Sequence, residues 1–436
     1  MTTDDGRSVS ERVLFFPWGF GGGAAYTGRC LVLAAALAEA GDEVIFADSG
    51  LSAMVREAGF PVLESAAEAP RPSNRHSVPP YLPFADVERV FAVAASFHRE
   101  DRVRARIAAD AELIERSQPT AVVIDMSPTA ALAARAAGLP VISLADADFV
   151  TPCANGWMPW STVAPRDLLP HPSSLPVWDM MSSELGLGPV ERAEHLLWGD
   201  VTLISSHPDL EPLGGPPHRG ELHYVGPMYW NPPRPVGDPP PDTDLSRVYV
   251  TIGSGGTAGK RALGNIFDAC AGQPWTVYVS GGFADLTDLT IPDNVHLAGF
   301  TGLDTPLAWA DVVLSHGGSA TVLATLLHGK PSVIMPFMSE QEMNGRRLVA
   351  DSGAGVLLRT STTTSHGRLA FTDRYSGPAD QSQVGAFDIR QGIAEVLGDQ
   401  AFTAAARQWG VRLRELGSRN DIVALTYSAI SAGVTR

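Results

Sequence analysis

The strongest chemical signal in the sequence is a glycine-rich turn in the second half of the chain. It reads His316-Gly317-Gly318-Ser319-Ala320-Thr321, directly after a predicted strand and at the start of a predicted helix. Two glycines let a ligand approach the backbone closely, and the free amides and positive end of a helix favour an anion such as phosphate. The segment predicts either an anion site, to which Ser319 and Thr321 add hydroxyl donors, or a tight turn that only caps the helix.

A second signal is the pair Glu340-Gln341, which stands 24 residues after His316 and follows the next predicted strand. Because the carboxyl ends of parallel strands meet at one edge of a sheet, we expect the pair to lie near His316. A carboxylate beside an amide suits the hydroxyls of a sugar. Taken alone, such a pair is more often part of a solvated loop.

Two further glycine-rich turns could also bind a ligand. Gly253–Thr257 is a second candidate anion site, but it is not a P-loop because Arg261 replaces the Ser or Thr that would hold magnesium. Gly19–Ala24, with Asp48 at the end of the following strand, matches a dinucleotide fingerprint. This weak match gives a rival hypothesis, an NAD-dependent dehydrogenase.

The elements that position these turns alternate between strand and helix in both halves of the chain. The first half has predicted strands at 13–16, 43–47, 121–124 and 141–144 and helices at 29–40 and 129–137; the second has strands at 248–252, 275–279, 294–297, 311–315 and 332–335 and helices at 261–271 and 319–328. This alternation predicts parallel sheets with helices on both faces. Between the halves, a proline-rich stretch can be neither helix nor central strand.

We therefore predict an α/β protein with two Rossmann-like, doubly wound domains that face a central cleft. The first domain covers residues 1–228, the linker 229–244 and the second domain 245–415, and residues 416–436 form a C-terminal helix. Ligands in such sheets bind beyond the carboxyl ends of the strands. Both domains are expected to contribute to one site between them.

Composition narrows the class of partner. The 436 residues carry 48 acidic and 32 basic side chains and a net charge of −16, so we expect no nucleic-acid partner. Residues 1–11 lack the basic and apolar regions of a secretory signal. The longest apolar run, 30–38, is too short to span a membrane. These features predict a cytoplasmic protein without membrane contact.

Several motifs together resemble one family. The segments are Asn294–Leu297, Phe300, Asp311–Thr321, Gly329-Lys330-Pro331, Pro336, Glu340-Gln341, Asn344 and Gly353-Ala354-Gly355. In this order and spacing they resemble the donor-binding half of nucleotide-sugar glycosyltransferases with the GT-B fold, most closely the bacterial macrolide and glycopeptide type. The first half is similar more loosely. The resemblance implies an acceptor-binding first domain and a C-terminal helix that packs back onto it.

The resemblance also implies roles for individual residues. Phe300 would stack on the nucleobase. The diphosphate would be held by His316, Gly318, Ser319, Ala320 and Thr321, and from the other turn by Ser254 and Gly255. Glu340 and Gln341 would bind the hydroxyls of the donor sugar. No metal or cofactor is implied, because helix amides and His316 neutralise the leaving group.

One departure from the family concerns the donor. Family members often have a Glu eight residues after the motif His, where it binds the ribose hydroxyls, and this chain has Ala324 there. The departure implies a donor without a ribose 2′-hydroxyl, as in thymidine diphosphate sugars. A guanosine diphosphate sugar held differently remains an alternative, and a uridine diphosphate sugar is less favoured.

The second departure concerns the general base, which the family takes from a Gly-His pair before the first helix. Ala25-Tyr26 stands there in this chain. A base of this kind contributes about 10²–10⁴ in rate, and a neutral phenol with a pKa of about 10 is a poor substitute. Three explanations stay open. Asp125 is the base, with His98 and Asp146 as weaker candidates; the acceptor is a thiol or acidic phenol that needs little help; or the protein is a catalytically silent partner of another glycosyltransferase.

The acceptor pocket is expected in a proline-rich region of the first domain, where Trp157 and Trp160 suit an organic acceptor beside His98. The alternative is a purely structural role, in which these tryptophans pack within a long loop. The resemblance implies an inverting, metal-independent glycosyltransferase of natural-product biosynthesis, with Asp125 and Tyr26 as the catalytic candidates. The expected partners are a nucleotide-sugar donor and a small-molecule acceptor, with a homodimer as an open alternative.

Overall fold

The computed structural model of the chain describes residues 10–19, 24–65, 86–151, 172–233, 237–253, 260–281, 286–358, 384–419 and 421–434. Two parallel sheets, each covered by helices, form the two halves, as the alternation of strands and helices predicts.

In the first half, the described elements are β1 (Arg12–Pro17), α1 (Ala24–Glu39), β2 (Glu43–Ala47), α2 (Ser52–Glu57), β3 (Val62–Leu63), α3 (Val87–Ala95), α4 (Glu100–Ser117), β4 (Ala121–Asp125), α5 (Pro128–Ala136), β5 (Val141–Ala145), α6 (Ala147–Val150), α7 (Leu175–Glu184), a 3₁₀ turn (Ala193–Leu197), β6 (Val201–Ile204) and β7 (Glu221–Tyr224). The strand order is β3-β2-β1-β4-β5-β6-β7, and every strand pair is parallel. The order reverses between β1 and β4. Such a switch point opens a crevice at the carboxyl ends of the strands.

In the second half, the described elements are β8 (Ser246–Thr251), α8 (Lys260–Cys270), β9 (Trp275–Ser280), β10 (Val295–Leu297), α9 (Asp304–Trp309), β11 (Val312–Ser315), α10 (Ser319–Leu327), β12 (Ser332–Ile334), α11 (Ser339–Asn344), a π-helical turn (Gly345–Ala350), β13 (Gly355–Leu357), α12 (Ala386–Gly398), α13 (Gln400–Arg419) and α14 (Ile422–Val434). The parallel sheet has the order β10-β9-β8-β11-β12-β13, with its switch point between β8 and β11. The turn after β11 is the His316 motif, so it begins at the switch point.

The central strands are buried because both faces of each sheet are covered. In the first half, alternate residues of β1 enter opposite cores: Leu14 and Phe16 lie in one, and Val13 and Phe15 lie in the other. Continuous apolar strands of this kind are typical of parallel sheets. Helix α1 begins at Ala24, five residues before its predicted start, because the apolar spacing used for the prediction becomes clear only after Arg29.

The segment between the two sheets is fixed to the second half by polar contacts. Asn231 Oδ1 accepts hydrogen bonds from the amides of Leu303 (2.6 Å) and Asp304 (3.3 Å), at the start of α9. The Trp309 indole donates to the Pro241 carbonyl at 3.0 Å. The linker is therefore an anchored connection over the residues that the structure describes.

The last helix, α14, returns to the first half. Ala429 and Ile430 are buried in the core that also contains Leu33 of α1, and the Tyr427 hydroxyl donates to Asp42 at 2.7 Å. The end of the chain thus packs on the domain in which the chain begins.

Candidate active site

The imidazole of His316 lies between two glycines at the switch point of the second sheet. A Cβ added to Gly253 would lie 2.8 Å from Nε2 of His316, and one added to Gly318 would lie 2.5 Å from the same atom. Neither position can therefore carry a side chain without moving the ring. Burial lowers the pKa of His316 to about 4, so the ring is neutral at pH 7. Its Nδ1 has no hydrogen-bond partner within the part of the chain that the structure describes.

The first turn of α10, next to this ring, has backbone amides that no capping side chain engages. Gly318 is the N-cap and supplies no capping side chain. The amides of Ser319, Ala320 and Thr321 belong to the first turn and have no acceptor inside the helix. These amides and the neutral imidazole together offer hydrogen-bond donors without a buried net charge. This arrangement suits an anion whose own charge would be held by the positive end of the helix.

Helix α11, which follows the neighbouring strand β12, contacts the turn that precedes α10. Asn344 Nδ2 donates to the Gly317 carbonyl (2.9 Å) and to Glu340 Oε1 (2.5 Å). Gln341 Oε1 accepts from the Phe337 amide at 2.8 Å, so its oxygen is engaged in the turn. The structure thus brings Glu340 and Gln341 beside the His316 motif. Burial and the carboxylates of the first half raise the pKa of Glu340 to about 8.

Across the cleft, Arg29 of α1 is the centre of a buried ion cluster. Its Nε and Nη2 donate to the two oxygens of Asp125 at 2.9 and 2.8 Å, and its Nη1 donates to Asp146 Oδ1 at 2.5 Å. The side chains of Arg29 and Asp125 are 3% and 0% exposed. Burial raises the pKa of Asp125 to about 7 against the opposing effect of Arg29. Both oxygens of Asp125 are therefore engaged by Arg29, and neither reaches the cleft surface.

Tyr26 lies on the same helix, with its ring 5.4 Å from the Arg29 guanidinium carbon. Burial, together with the carboxylates of Glu340 and Asp146, raises the pKa of Tyr26 well above its usual value. At neutral pH the phenol keeps its proton and cannot accept another. Tyr26 can serve as a hydrogen-bond donor in the cleft.

One hydrogen bond joins the two sides of the cleft directly. Ser319 Oγ donates to Asp146 Oδ1 at 3.0 Å. Asp146 follows β5 and precedes α6, so it lies at the carboxyl edge of the first sheet. The hydroxyl predicted to hold phosphate is thus bonded to a carboxylate of the opposite domain.

A second contact between the halves was not predicted from the sequence. The Arg347 guanidinium donates to Asp148 (2.7 Å for the Nη2–Oδ2 pair), to Glu211 and to Asn344 Oδ1 (3.1 Å). The side chains of Asp148 and Glu211 are fully buried. Burial raises the pKa of Asp148 to about 7, although Arg347 opposes the rise. No local pattern indicates a pairing between residues so far apart in the chain.

The remaining predicted residues have different positions. Phe300 follows β10 and is 42% exposed, which leaves its ring open to a ligand. His98 is half-buried, and its Nδ1 has no hydrogen-bond partner among the described residues. Four further predicted residues lie outside the described residues: Trp157, Trp160, Ser254 and Gly255.

The acidic residue of the dinucleotide match, Asp48, lies directly after β2. Asp48 Oδ1 accepts from the Gly50 amide (2.9 Å) and from the Ser52 hydroxyl, so the carboxylate holds the local turn into α2. Residues 20–23 lie outside the described residues. Within the described chain, no helix combines the length and apolarity needed to cross a membrane, and no three His, Cys, Asp or Glu side chains are grouped to hold a metal ion.

Two parallel α/β domains that meet at the carboxyl ends of their strands form the architecture of the GT-B fold. Residues 284–374 match the family described as "Erythromycin biosynthesis protein CIII-like, C-terminal domain". The chain is 30% identical over 314 residues to a "PGL/p-HBAD biosynthesis glycosyltransferase" of Mycobacterium tuberculosis, which covers 66% of this chain and 70% of that protein.

Solved structures share the fold over nearly the whole chain. The calicheamicin glycosyltransferase CalG4 has a TM-score of 0.66 at 21% identity, covering 98% of this chain and 99% of that one. The spinosyn rhamnosyltransferase SpnG, complexed with thymidine diphosphate, has a TM-score of 0.61 at 19% identity, covering 96% and 99%. The chain belongs to the GT-B glycosyltransferases of the natural-product and glycolipid type. The dehydrogenase hypothesis is therefore wrong.

Proposed function

We propose that this glycosyltransferase moves a sugar from a thymidine diphosphate donor to a small organic acceptor, with inversion at the anomeric carbon and without a metal. The observation that carries the proposal is the α10 tip. Free helix amides and a neutral His316, enclosed by Gly253 and Gly318, stand at the switch point of the second sheet and face the first domain. Such donors are suited to the charge that develops on a departing diphosphate.

The thymidine preference rests on the position of Ala324. This residue is fully buried and packs with Tyr249 and Val313. A methyl side chain in that environment offers no hydrogen bond to a ribose hydroxyl. A donor nucleotide whose ribose lacks the 2′-hydroxyl loses no hydrogen bond at this position. The related SpnG structure contains thymidine diphosphate. Guanosine and uridine diphosphate sugars are the alternatives.

The reaction needs a donor gripped on one side and an acceptor held on the other. The diphosphate would be bound by the α10 amides, and the sugar hydroxyls would meet Glu340 and the Gln341 amide group. The nucleobase would stack on the exposed ring of Phe300. The acceptor oxygen or sulfur would approach from the first domain, where the partly exposed Tyr26 lies over the buried Arg29 cluster. A single displacement then forms the glycosidic bond as the bond to the diphosphate breaks.

The proposal is tested by calorimetry followed by a turnover screen. Thymidine, uridine and guanosine diphosphates are titrated into the protein, and the matching sugar nucleotides are then incubated with phenols, thiols and polyketide alcohols under mass-spectrometric detection. We expect the tightest binding for thymidine diphosphate and a product whose mass equals acceptor plus sugar. Failure of all three nucleotides to bind would contradict the proposal. Binding without any product would instead favour an auxiliary partner.

A further inference from the structure

Asp146 differs from the other carboxylates of the cleft in how its two oxygens are used. Oδ1 accepts hydrogen bonds from Arg29 Nη1 (2.5 Å) and Ser319 Oγ (3.0 Å). No described residue donates a hydrogen bond to Oδ2. Oδ2 is also not one of the fully enclosed polar atoms without a partner, so it is not sealed inside the protein. With 7% of its side chain exposed, Asp146 is anchored through Oδ1, while Oδ2 is left unengaged by the part of the chain that the structure describes.

The neighbouring titratable groups are less suited to take a proton. Asp125 is fully buried, and both of its oxygens accept from Arg29, so protonation would break a bidentate ion pair. Tyr26 has a pKa raised well above its usual value and stays protonated. Glu340, with a pKa of about 8, already carries its proton over most of the neutral range.

The partners of Oδ1 also fix where Oδ2 lies. Arg29 is held from behind by Asp125, and Ser319 is the first residue of the helix that faces the leaving group. A carboxylate bonded to both is positioned relative to the acceptor domain and to the diphosphate site at once. A catalytic base needs this kind of orientation because proton transfer depends on hydrogen-bond distance and angle.

We propose that Asp146 is the catalytic base of the transfer, with Oδ2 as the proton acceptor and Arg29, Asp125 and Ser319 as positioning residues. The inference rests on the proposed sugar transfer. The acceptor O–H proton passes to Asp146 Oδ2, and the oxygen lone pair forms the bond to the anomeric carbon. The bond from that carbon to the diphosphate oxygen breaks, and its electron pair leaves with the diphosphate. The protonated carboxyl then returns its proton to solvent.

The test compares acceptors of different acidity in Asp146→Asn. An acceptor that is already ionised needs no base, whereas a weakly acidic one does. With a sugar nucleotide that the wild-type chain uses, rates are measured for two acceptors from the turnover screen: the most acidic phenol or thiol and the least acidic hydroxyl that the wild type glycosylates. We expect Asp146→Asn to lower kcat/KM about 10²–10⁴-fold for the weak acid and less than about tenfold for the strong acid. Nucleotide affinity should stay within about threefold of the wild-type value.

Controls separate a base from a structural role. Asp125→Asn should slow both acceptors by a similar factor of at least about tenfold, because it loosens Arg29 without removing the proton acceptor. Asp101→Asn, at an exposed position on α4, should leave both rates unchanged. Asp146→Glu, which keeps a carboxylate, is measured in case Asp146→Asn folds poorly. It should still lose more activity with the weakly acidic acceptor than with the strongly acidic one. Equal losses for both acceptors in Asp146→Asn and Asp146→Glu would overturn the assignment. Absence of turnover in the wild type would instead contradict the proposed function.

Discussion

Replacement of Arg347 by Met tests the buried contact that joins the two domains. Arg347 bonds Asp148 and Glu211, whose side chains are both fully buried, and it also donates to Asn344. Removal of one partner from such a cluster leaves uncompensated buried charge, which costs about 3–5 kcal/mol. Two carboxylates lose their cation here, so we expect the loss to lie in the upper half of that range at pH 8.

The same variant should be less impaired in acid. The pKa of Asp148 in the folded protein is about 7, well above the ordinary value for an unfolded chain. The folded state therefore binds this proton more tightly, and the carboxyl stabilises the fold at low pH and loses that contribution as the pH rises from about 4 to about 7. Without Arg347 the carboxyls can be neutralised by protonation at pH 5.5 but not at pH 8.

The assay is urea unfolding followed by tryptophan fluorescence at pH 5.5 and 8.0. Arg104→Met removes an equally long cation from an exposed cluster with Glu100 and Glu184, and it should leave the free energy of unfolding nearly unchanged. The triple variant Arg347→Met/Asp148→Leu/Glu211→Met should recover most of the loss, because apolar replacements carry no desolvation cost. A loss below about 1 kcal/mol for Arg347→Met at pH 8 would refute the reasoning.

Three further predictions concern the donor side and the pH dependence of the fold. His316→Ala should raise the Kd for thymidine diphosphate about tenfold in calorimetry. Gly318→Ala should have the same effect with an unchanged circular dichroism spectrum, because its Cβ would lie 2.5 Å from Nε2 of the His316 ring. Unaltered affinity in both variants would contradict the assigned contact. Phe300→Ala should change the free energy of unfolding by less than about 0.5 kcal/mol because the ring is 42% exposed, yet it should weaken nucleotide binding by about 1–3 kcal/mol through lost stacking; calorimetry with uridine diphosphate as a second ligand checks that the loss is independent of the base. The pKa values of Asp125 (about 7) and Glu340 (about 8) are raised in the folded protein, so thermal stability should fall between pH 5 and 8, and a rise over that interval would contradict the buried carboxyls.

The sequence predicts the layout of the sheets and the position of the His316 turn between a strand and a helix well. Apolar runs bounded by glycine and acidic residues indicate the strands that surround both switch points, and the motif from His316 to Thr321 begins a helix as predicted. These features are local, since each depends on spacing within about ten residues. The fold class that follows from them is confirmed by the two parallel sheets and by the related structures.

The ion clusters could not be predicted in the same way. Arg29 meets Asp125 across 96 positions of the chain, and Arg347 meets Asp148 across 199. Only tertiary packing, within the first domain for Arg29 and between the domains for Arg347, brings such groups together, and no local sequence pattern indicates it. The same limit explains why the sequence favours Asp125 over Asp146 as the base: the residues that engage the carboxylate oxygens of each come from distant parts of the chain, and only the structure shows them. Helices α12 and α13 were not predicted either, although they cover 386–398 and 400–419.

The most direct measurement is a crystal structure of the protein soaked with thymidine diphosphate. The account predicts diphosphate oxygens within about 3 Å of the amides of Ser319 and Ala320, with His316 in contact and the base against Phe300. A nucleotide bound elsewhere, or an α10 tip that stays closed to the anion at saturating nucleotide, would contradict it.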